Sequence, residues 1–303
     1  MSVEPETSSV NHHPCFITLN PALDLFYQSP HTPTPNEICF ADSMRMVPGG
    51  KGINAAIALR KANPTTKVTS IQSGGTPFDG FFHEQLQQHD VEPLILPGLG
   101  QMRINTHVFS EQGKRMTKIN APGVPMSPSV LEELCANLSR LRPTFLLLCG
   151  SLPPGLAPDS YKRLVAWGKA HQSSVWLDTR GPALAEALQA EPAGVKINAD
   201  ELREIAPECS TDHPDTLVRK AREWKTTLCI TDGPHPVWVA DGQRVRSYTP
   251  PPLGDLPRQT LGGGDAFFGG WIAGLAQGLS EPECIRLAFQ TASEQLVSSS
   301  RTL

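Results

Sequence analysis

Apolar runs of strand length alternate along the chain with segments of helical spacing. Cys15-Phe16-Ile17-Thr18-Leu19 predicts a strand, closed by the turn-rich stretch Asn20-Pro21-Ala22-Leu23-Asp24. Residues 25–47 contain three prolines among alternating polar and apolar positions, which predicts edge strands rather than helix. Asn54 to Ala62 holds good helix formers and stops before Pro64. Lys67 to Gln72 reads as a strand. Phe78, Phe82 and Leu86, spaced four apart, give the next helix a core-facing stripe. Val91–Leu96, Arg103–Ser110 and Lys114–Asn120 read as strands, the last two joined by a hairpin turn at Glu111-Gln112-Gly113-Lys114.

After residue 125 the pattern changes. Ser127-Pro128 reads as an N-cap followed by Pro at the first helical position, and Leu131, Leu134, Cys135, Leu138 and Leu141 keep helical spacing. Thr144–Cys149, Ser174–Asp178, Val195–Asn198 and Leu228–Thr231 predict buried strands. Tyr161–Ala170, Pro182–Leu188, Ala199–Ile205 and Leu217–Trp224 predict helices between and after them. Val237–Ala240 and Arg244–Thr249 flank the hairpin signal Asp241-Gly242. Two helices end the chain, the second from the capping-box pattern Ser280-Glu281-Pro282-Glu283. Strands alternating with helices predict an α/β fold with right-handed crossovers and a mostly parallel sheet. The β-rich pieces at 25–47 and 91–120 predict a small β-sheet lid within one domain spanning 1–303. Residues 1–14 read as a polar leader.

Composition narrows the function classes. The formal charge of −4 argues against a general nucleic-acid binder, which needs a basic surface. No apolar run reaches the roughly 18–20 residues of a membrane span. The seven cysteines show no CxxC spacing and several lie in apolar runs, as expected of free thiols in a reducing, cytoplasmic setting. The nine histidines show no HExxH or comparable ligand spacing, so no dedicated metal site is expected.

Two glycine clusters carry the candidate chemistry. Gly262-Gly263-Gly264-Asp265 precedes an apolar, helix-compatible segment. Bare amides at such a helix start favour an anion. A carboxylate placed among them is out of character unless it does chemistry. Together they suggest a phosphoryl group held by the amides of Gly262, Gly263 and Gly264, with Asp265 as the base. Far upstream, Pro48-Gly49-Gly50-Lys51-Gly52-Ile53-Asn54 forms the second cluster, as expected if loops on one sheet edge converge. A P-loop is excluded because no Ser or Thr follows Lys51. A dinucleotide-binding fingerprint is excluded because Phe267 stands at the third glycine position.

With Asn20-Pro21-Ala22-Leu23-Asp24 these clusters resemble the signatures of ribokinase-like sugar kinases, in the phosphofructokinase-B branch that includes 1-phosphofructokinase and tagatose-6-phosphate kinase. Gly150-Ser151-Leu152-Pro153-Pro154-Gly155, Leu177-Asp178-Thr179, Lys196-Ile197-Asn198 with Glu201, and Thr231-Asp232-Gly233 extend the resemblance over nearly the whole chain. It implies a three-layer α/β/α fold with a β-sheet lid, and phosphorylation of a sugar phosphate by ATP with Mg²⁺. Fructose 1-phosphate is favoured as acceptor; the alternatives are tagatose 6-phosphate, fructose 6-phosphate, or a catalytically weak binding protein on the same fold.

By the same resemblance Asp265 is the catalytic base and residues 262–264 the anion hole. Asp24, Gly50 and Asn54 contact sugar hydroxyls, and Arg103 contacts the substrate phosphate. Asn105 would share Arg103's strand face, and Ser151 is a further substrate-side position. Lys196, Asn198, Glu201, Thr231 and Gly233 fall on the nucleotide side, with Glu201 reaching Mg²⁺ indirectly. Lys51 reads equally as a surface lysine or a phosphate contact, and Asn198 could also serve simply as the N-cap of the helix bearing Glu201. The chain departs from the family at Gly263, where Ala is frequent, and at Ile197, where Pro is usual. It also departs at Lys118, where an acid is usual, and at Asp232, where a small or apolar residue is usual. A homodimer paired through the lid is a further expectation.

Overall fold

Seven parallel strands set the frame, and their alternating side chains feed two helical layers. The computed structural model describes residues 12–111, 115–252 and 261–301. The chain enters through β1 (Pro14–Thr18), makes the antiparallel pair β2 (Ala22–Gln28) and β3 (Ser43–Gly49), then runs through α1 (Lys51–Ala62), β4 (Thr69–Ser73), α2 (Asp79–Gln87) and β5 (Glu92–Leu96). A second antiparallel pair follows, β6 (Ile104–Ser110) and β7 (Arg115–Ile119). Then come α3 (Val130–Leu141), β8 (Phe145–Cys149), α4 (Ser160–Ala170), β9 (Ser174–Asp178), α5 (Gly181–Leu188), β10 (Gly194–Asn198), α6 (Ala199–Ile205), α7 (Pro214–Glu223) and β11 (Thr227–Thr231). The hairpin β12 (Val237–Ala240) and β13 (Val245–Tyr248) leads to α8 (Gly263–Ala276) and α9 (Glu281–Arg301).

The large sheet has the order β13-β12-β11-β10-β9-β8-β1-β4-β5, and a separate sheet has the order β3-β2-β6-β7. In the large sheet all neighbours are parallel except at β12 and β13. Strand β8 illustrates the layering. Leu146 and Leu148 point into a core shared with Leu134, Leu164 and Leu184, whereas Phe145, Leu147 and Cys149 point into one with Ile53, Phe268 and Trp271. Such strands read as continuous apolar runs because both faces are covered. The result is the three-layer α/β/α arrangement that the sequence resemblance implies.

Three expectations change. The segment 91–96 does not join the lid. As β5 it pairs in parallel with β4 at the edge of the large sheet, the outcome of the β4-α2-β5 crossover, so the lid is β2, β3, β6 and β7. Helix α3 starts two residues later than the Ser127-Pro128 signal, because those residues form a preceding turn in which Val130 N–H donates to the Ser127 carbonyl. The leader is shorter than 1–14: His13 donates its backbone N–H to Thr144 Oγ1 at 2.9 Å, and β1 begins at Pro14. Residues 1–11, and residues 112–114 of the expected hairpin turn, lie outside the described residues.

Topology also decides where ligands can gather. Strand β1 has β4 on one side and β8 on the other, so successive connections leave it in opposite directions. Loops after the carboxyl ends of β1, β8, β9, β10 and β11 open at this reversal, the place where α/β sheets hold ligands. The lid strands β2 and β3 leave from the same end of β1.

Candidate active site

Gly262 starts α8 in the left-handed region (φ 76°), and its carbonyl accepts the Ala266 N–H at 2.9 Å. A side chain there would be strained, so glycine lets the loop turn directly into the helix. The first amides of α8 are left facing the rim. Asp265 lies in this first turn, and Asn54 Nδ2, from α1, donates to its Oδ2 at 2.8 Å. Burial, and then the like charge of Asp178, push the Asp265 carboxyl up to about 6 against the pull of Lys196, Asn54 and Lys51. A carboxyl with that poise is charged at neutral pH and still basic enough to take a proton.

A chain of charges lies beside it. Lys51 Nζ is 2.7 Å from Asp178 Oδ1 and 3.5 Å from Glu201 Oε1, while Lys196 Nζ is 3.3 Å from Asp178 Oδ2. Burial would raise the Asp178 carboxyl, but Lys196 and Lys51 outweigh it and hold it below its ordinary value. Burial would likewise lower Lys51, and Asp178 with Glu201 reverses that shift. The Lys51 ammonium is therefore fixed as a cation. A Cβ built on Gly264 would lie 3.1 Å from Lys196 Nζ, so that amine stands beside Gly264 in the first turn of α8. The second glycine cluster serves a close approach too. A Cβ on Gly49 would come within 2.2 Å of Asp24 Oδ2, so only glycine lets that carboxylate rest against the end of β3.

On the lid side, Asp24 Oδ1 accepts from Asn105 Nδ2 at 2.9 Å, and Asn105 Oδ1 accepts the Ala121 N–H at 3.3 Å. Asn20 Nδ2 donates to Ser151 Oγ at 2.8 Å. Arg103, the expected phosphate contact, is itself anchored. Its guanidinium donates to the carbonyls of Pro21 (2.8 Å), Asn20 (2.6 Å) and Ala121 (3.3 Å), so three of its N–H groups tie the base of the lid to the loop after β1. On the nucleotide side, Asn198 does act as an N-cap: it accepts from the Glu201 N–H, and Glu201 returns a bond to the Asn198 N–H. This box orients the Glu201 carboxylate, whose other oxygen faces Lys51. Thr231 ends β11 in register with Asn198, and Gly233 turns just beyond it (φ 54°).

These groups bound two adjoining hollows that share Gly50 and Lys51. One, of about 440 Å³, is lined by Asp24, Asn54, Gly262 and Asp265; the other, of about 280 Å³, by Asn20, Arg103, Asn105, Ser151 and Glu201. All seven substrate-side candidates line one or both. The residue sequence reasoning left out of the site is Asp178, which joins Lys51 to Lys196. Its signal was an acid at the very end of an otherwise apolar buried strand.

The family model described as "pfkB family carbohydrate kinase" matches residues 18–302. The chain belongs to the pfkB carbohydrate kinase family. Among its relatives is a 1-phosphofructokinase of Xanthomonas campestris pv. campestris, 30% identical over 285 residues, covering 90% of this chain and 87% of that one. Another is the ATP-dependent 6-phosphofructokinase isozyme 2 of Escherichia coli, 25% identical, covering 91% of this chain and 90% of that one. In fold, the chain superposes on the tetrameric inhibited form of phosphofructokinase-2 from Escherichia coli with a TM-score of 0.85 at 23% identity, covering 95% of each chain. Membership of this family makes the chain a phosphotransferase. Among the described residues no helix is long and apolar enough to cross a membrane, and no group of three or more His, Cys, Asp or Glu side chains could hold a metal.

Proposed function

We propose that this pfkB kinase transfers the γ-phosphoryl of MgATP to a hydroxyl of a ketohexose phosphate, with fructose 1-phosphate favoured and fructose 1,6-bisphosphate as product. The observation that carries this reading is Asp265, with its raised pKa, in the first turn of a helix where the Lys196 amine stands beside Gly264. Phosphoryl transfer needs alignment and charge neutralisation more than covalent help. The amides of residues 262–264 and Lys196 would take the charge of the transferring group without reorganising. The acceptor oxygen forms a bond to the γ-phosphorus, the bond to the β–γ bridging oxygen breaks, and ADP departs. The hydroxyl proton passes to Asp265, which Asn54 orients. Asp24 and Asn105 would fix the sugar hydroxyls from the lid.

Mg²⁺, when bound, neutralises phosphate charge. The donor set fits an ion that arrives on the nucleotide and keeps most of its waters. Asp178 already faces two lysines, and Glu201 has one oxygen in its capping box and the other on Lys51. Glu201 would therefore hold Mg²⁺ through water.

A coupled ADP-release screen over fructose 1-phosphate, tagatose 6-phosphate, fructose 6-phosphate and unphosphorylated fructose tests the reading. Fructose 1-phosphate is expected to give the highest kcat/KM. A preference for either 6-phosphate reassigns the acceptor, preference for fructose removes the sugar-phosphate assignment, and no acceptor-dependent turnover leaves a binding protein. The reading places the enzyme in the cytoplasm. It also places a second copy on the lid's outer face, where Met44, Met46, Ile104 and Ile119 are exposed together. Met46→Glu is expected to convert a dimer to monomer in sedimentation, and a monomeric parent protein would remove that assignment.

A further inference from the structure

The lid's inner face carries a row of side chains that the reading above does not use. In register across the four strands stand Arg45 of β3, Phe26 of β2, His107 of β6 and Lys118 of β7. Directly opposed residues share a face, and Arg45, Phe26 and His107 line the same hollow as Asp24 and Asp265. The parallel row next to it holds Val47, Asp24 and Asn105, so the two rows are about 7 Å apart along the strands.

The row is organised without satisfying its own polar groups. Phe26 packs flat on the His107 ring, with centroids 4.7 Å apart, and the Arg45 guanidinium carbon lies 5.1 Å from the Phe26 centroid. His107 is only 6% exposed, yet neither ring nitrogen has a hydrogen-bond partner, and its nearest charge is Asp24 Oδ1 at 3.8 Å. Arg45 Nε is also buried and unpartnered. Burial weakens the hold on the Arg45 proton, and no carboxylate offsets it. Among the described residues neither Arg45 nor Lys118 makes an ion pair. Lys61 and His89 add basic groups to the wall of the hollow, while Asp24 and Asp265 are its acids. Buried polar nitrogens held in place but left without acceptors call for a ligand that supplies oxygens. Arg103, by contrast, already has three N–H groups on backbone carbonyls.

We propose that Arg45 and His107 seat the acceptor's own phosphate in the hollow that also holds Asp265, with the exposed Lys118, next to His107 in register, adding positive charge at its edge. The assignment rests on the sugar-phosphate kinase reading and names the residues that select a phosphorylated over an unphosphorylated sugar. Phe26 holds Arg45 and His107 at a fixed spacing, so their N–H groups meet the phosphate already oriented. A phosphate there lies about one residue pair beyond Asp24, a span that one hexose ring bridges.

The test uses the full chain with Arg45→Met, Arg45→Lys and Lys118→Glu. Loss of a charge-assisted hydrogen bond predicts a rise of about tenfold or more in KM for the accepted sugar phosphate in Arg45→Met. A smaller rise is expected in Lys118→Glu and partial retention in Arg45→Lys, with KM for ATP and Tm unchanged in all three. The dissociation constant of inorganic phosphate, followed by ³¹P line broadening with ADP present, is expected to weaken in parallel. An unchanged KM in Arg45→Met, or an equal rise for unphosphorylated fructose, overturns the subsite. If the parent chain phosphorylates no sugar phosphate, the kinase reading fails and phosphate binding alone decides: dependence on Arg45 supports the subsite, and independence or no binding overturns it.

Discussion

The rim of the large sheet and the inner face of the lid confront each other across one hollow, and they are built on opposite principles. At the rim every buried charge has a bonded partner. Asp178 is held between Lys51 and Lys196, Glu201 is locked by a capping box, and Asp265 is bonded to Asn54. On the lid, Arg45 Nε and both His107 nitrogens are buried without hydrogen-bond partners. The first arrangement fixes a field before any ligand arrives, as electrostatic stabilisation of a transferring group requires. The second is incomplete until an anion supplies acceptors, as discrimination between acceptors requires.

The largest expected effect lies at the rim. Asp265→Asn removes the base while keeping an oxygen that Asn54 can meet. Turnover is expected to fall about 10²- to 10⁴-fold in an ADP-release assay, with ATP affinity kept. The same substitution is expected to raise Tm at neutral pH. An acid whose pKa is raised from 3.8 to about 6 on folding gives stability that is full below the unfolded value and lost as pH rises through the folded one. The neutral amide escapes that loss. A fall in Tm would contradict the burial argument.

Arg103→Met separates the two regions next. Breaking three bonds from a charged group to carbonyls is expected to cost about 2–4 kcal/mol in denaturant unfolding, with a lesser change in KM. Arg45→Met is expected to show the reverse, with KM moving and stability kept. If both variants shift KM alike and leave stability alone, the division between strut and ligand contact fails.

A smaller effect is read from pH. The reaction needs the Asp265 carboxylate, so kcat/KM is expected to fall as pH drops through about 6. Asp178→Asn removes a like charge that helps raise Asp265, and is expected to move this limb to lower pH. A limb that stays in place would detach Asp265 from the profile. The smallest effect is Gly263→Ala, whose Cβ would meet only the Leu296 side chain, 3.1 Å away at its nearest atom. Turnover is expected to stay within about threefold, since an anion hole made of amides needs no particular side chain there.

Much of the rim was legible in the sequence because its signals are local. A glycine triplet before an acid, a capping box at Asn198 and Glu201, and strands ending in polar residues each fit in a few adjacent positions. The lid was less legible because its chemistry depends on pairing. The row Arg45, Phe26, His107 and Lys118 draws on four strands, and only strand register brings its members together. The same limit explains the misplaced strand and the hidden bonds of Arg103. Nothing within Glu92–Leu96 says which sheet it joins, since its pairing with β4 is a tertiary choice. Nothing adjacent to Arg103 says that three of its N–H groups bond the carbonyls of Asn20, Pro21 and Ala121.

The central claim is that the amides opening α8 hold the transferring phosphoryl group while Asp265 takes the acceptor's proton. A crystal structure with a non-hydrolysable ATP analogue and fructose 1-phosphate tests it most directly. The terminal phosphate is expected against the amides of residues 262–264, with a sugar hydroxyl about 2.6–3.2 Å from the Asp265 carboxylate. A terminal phosphate bound away from that helix, or a sugar with no hydroxyl near Asp265, would contradict the account.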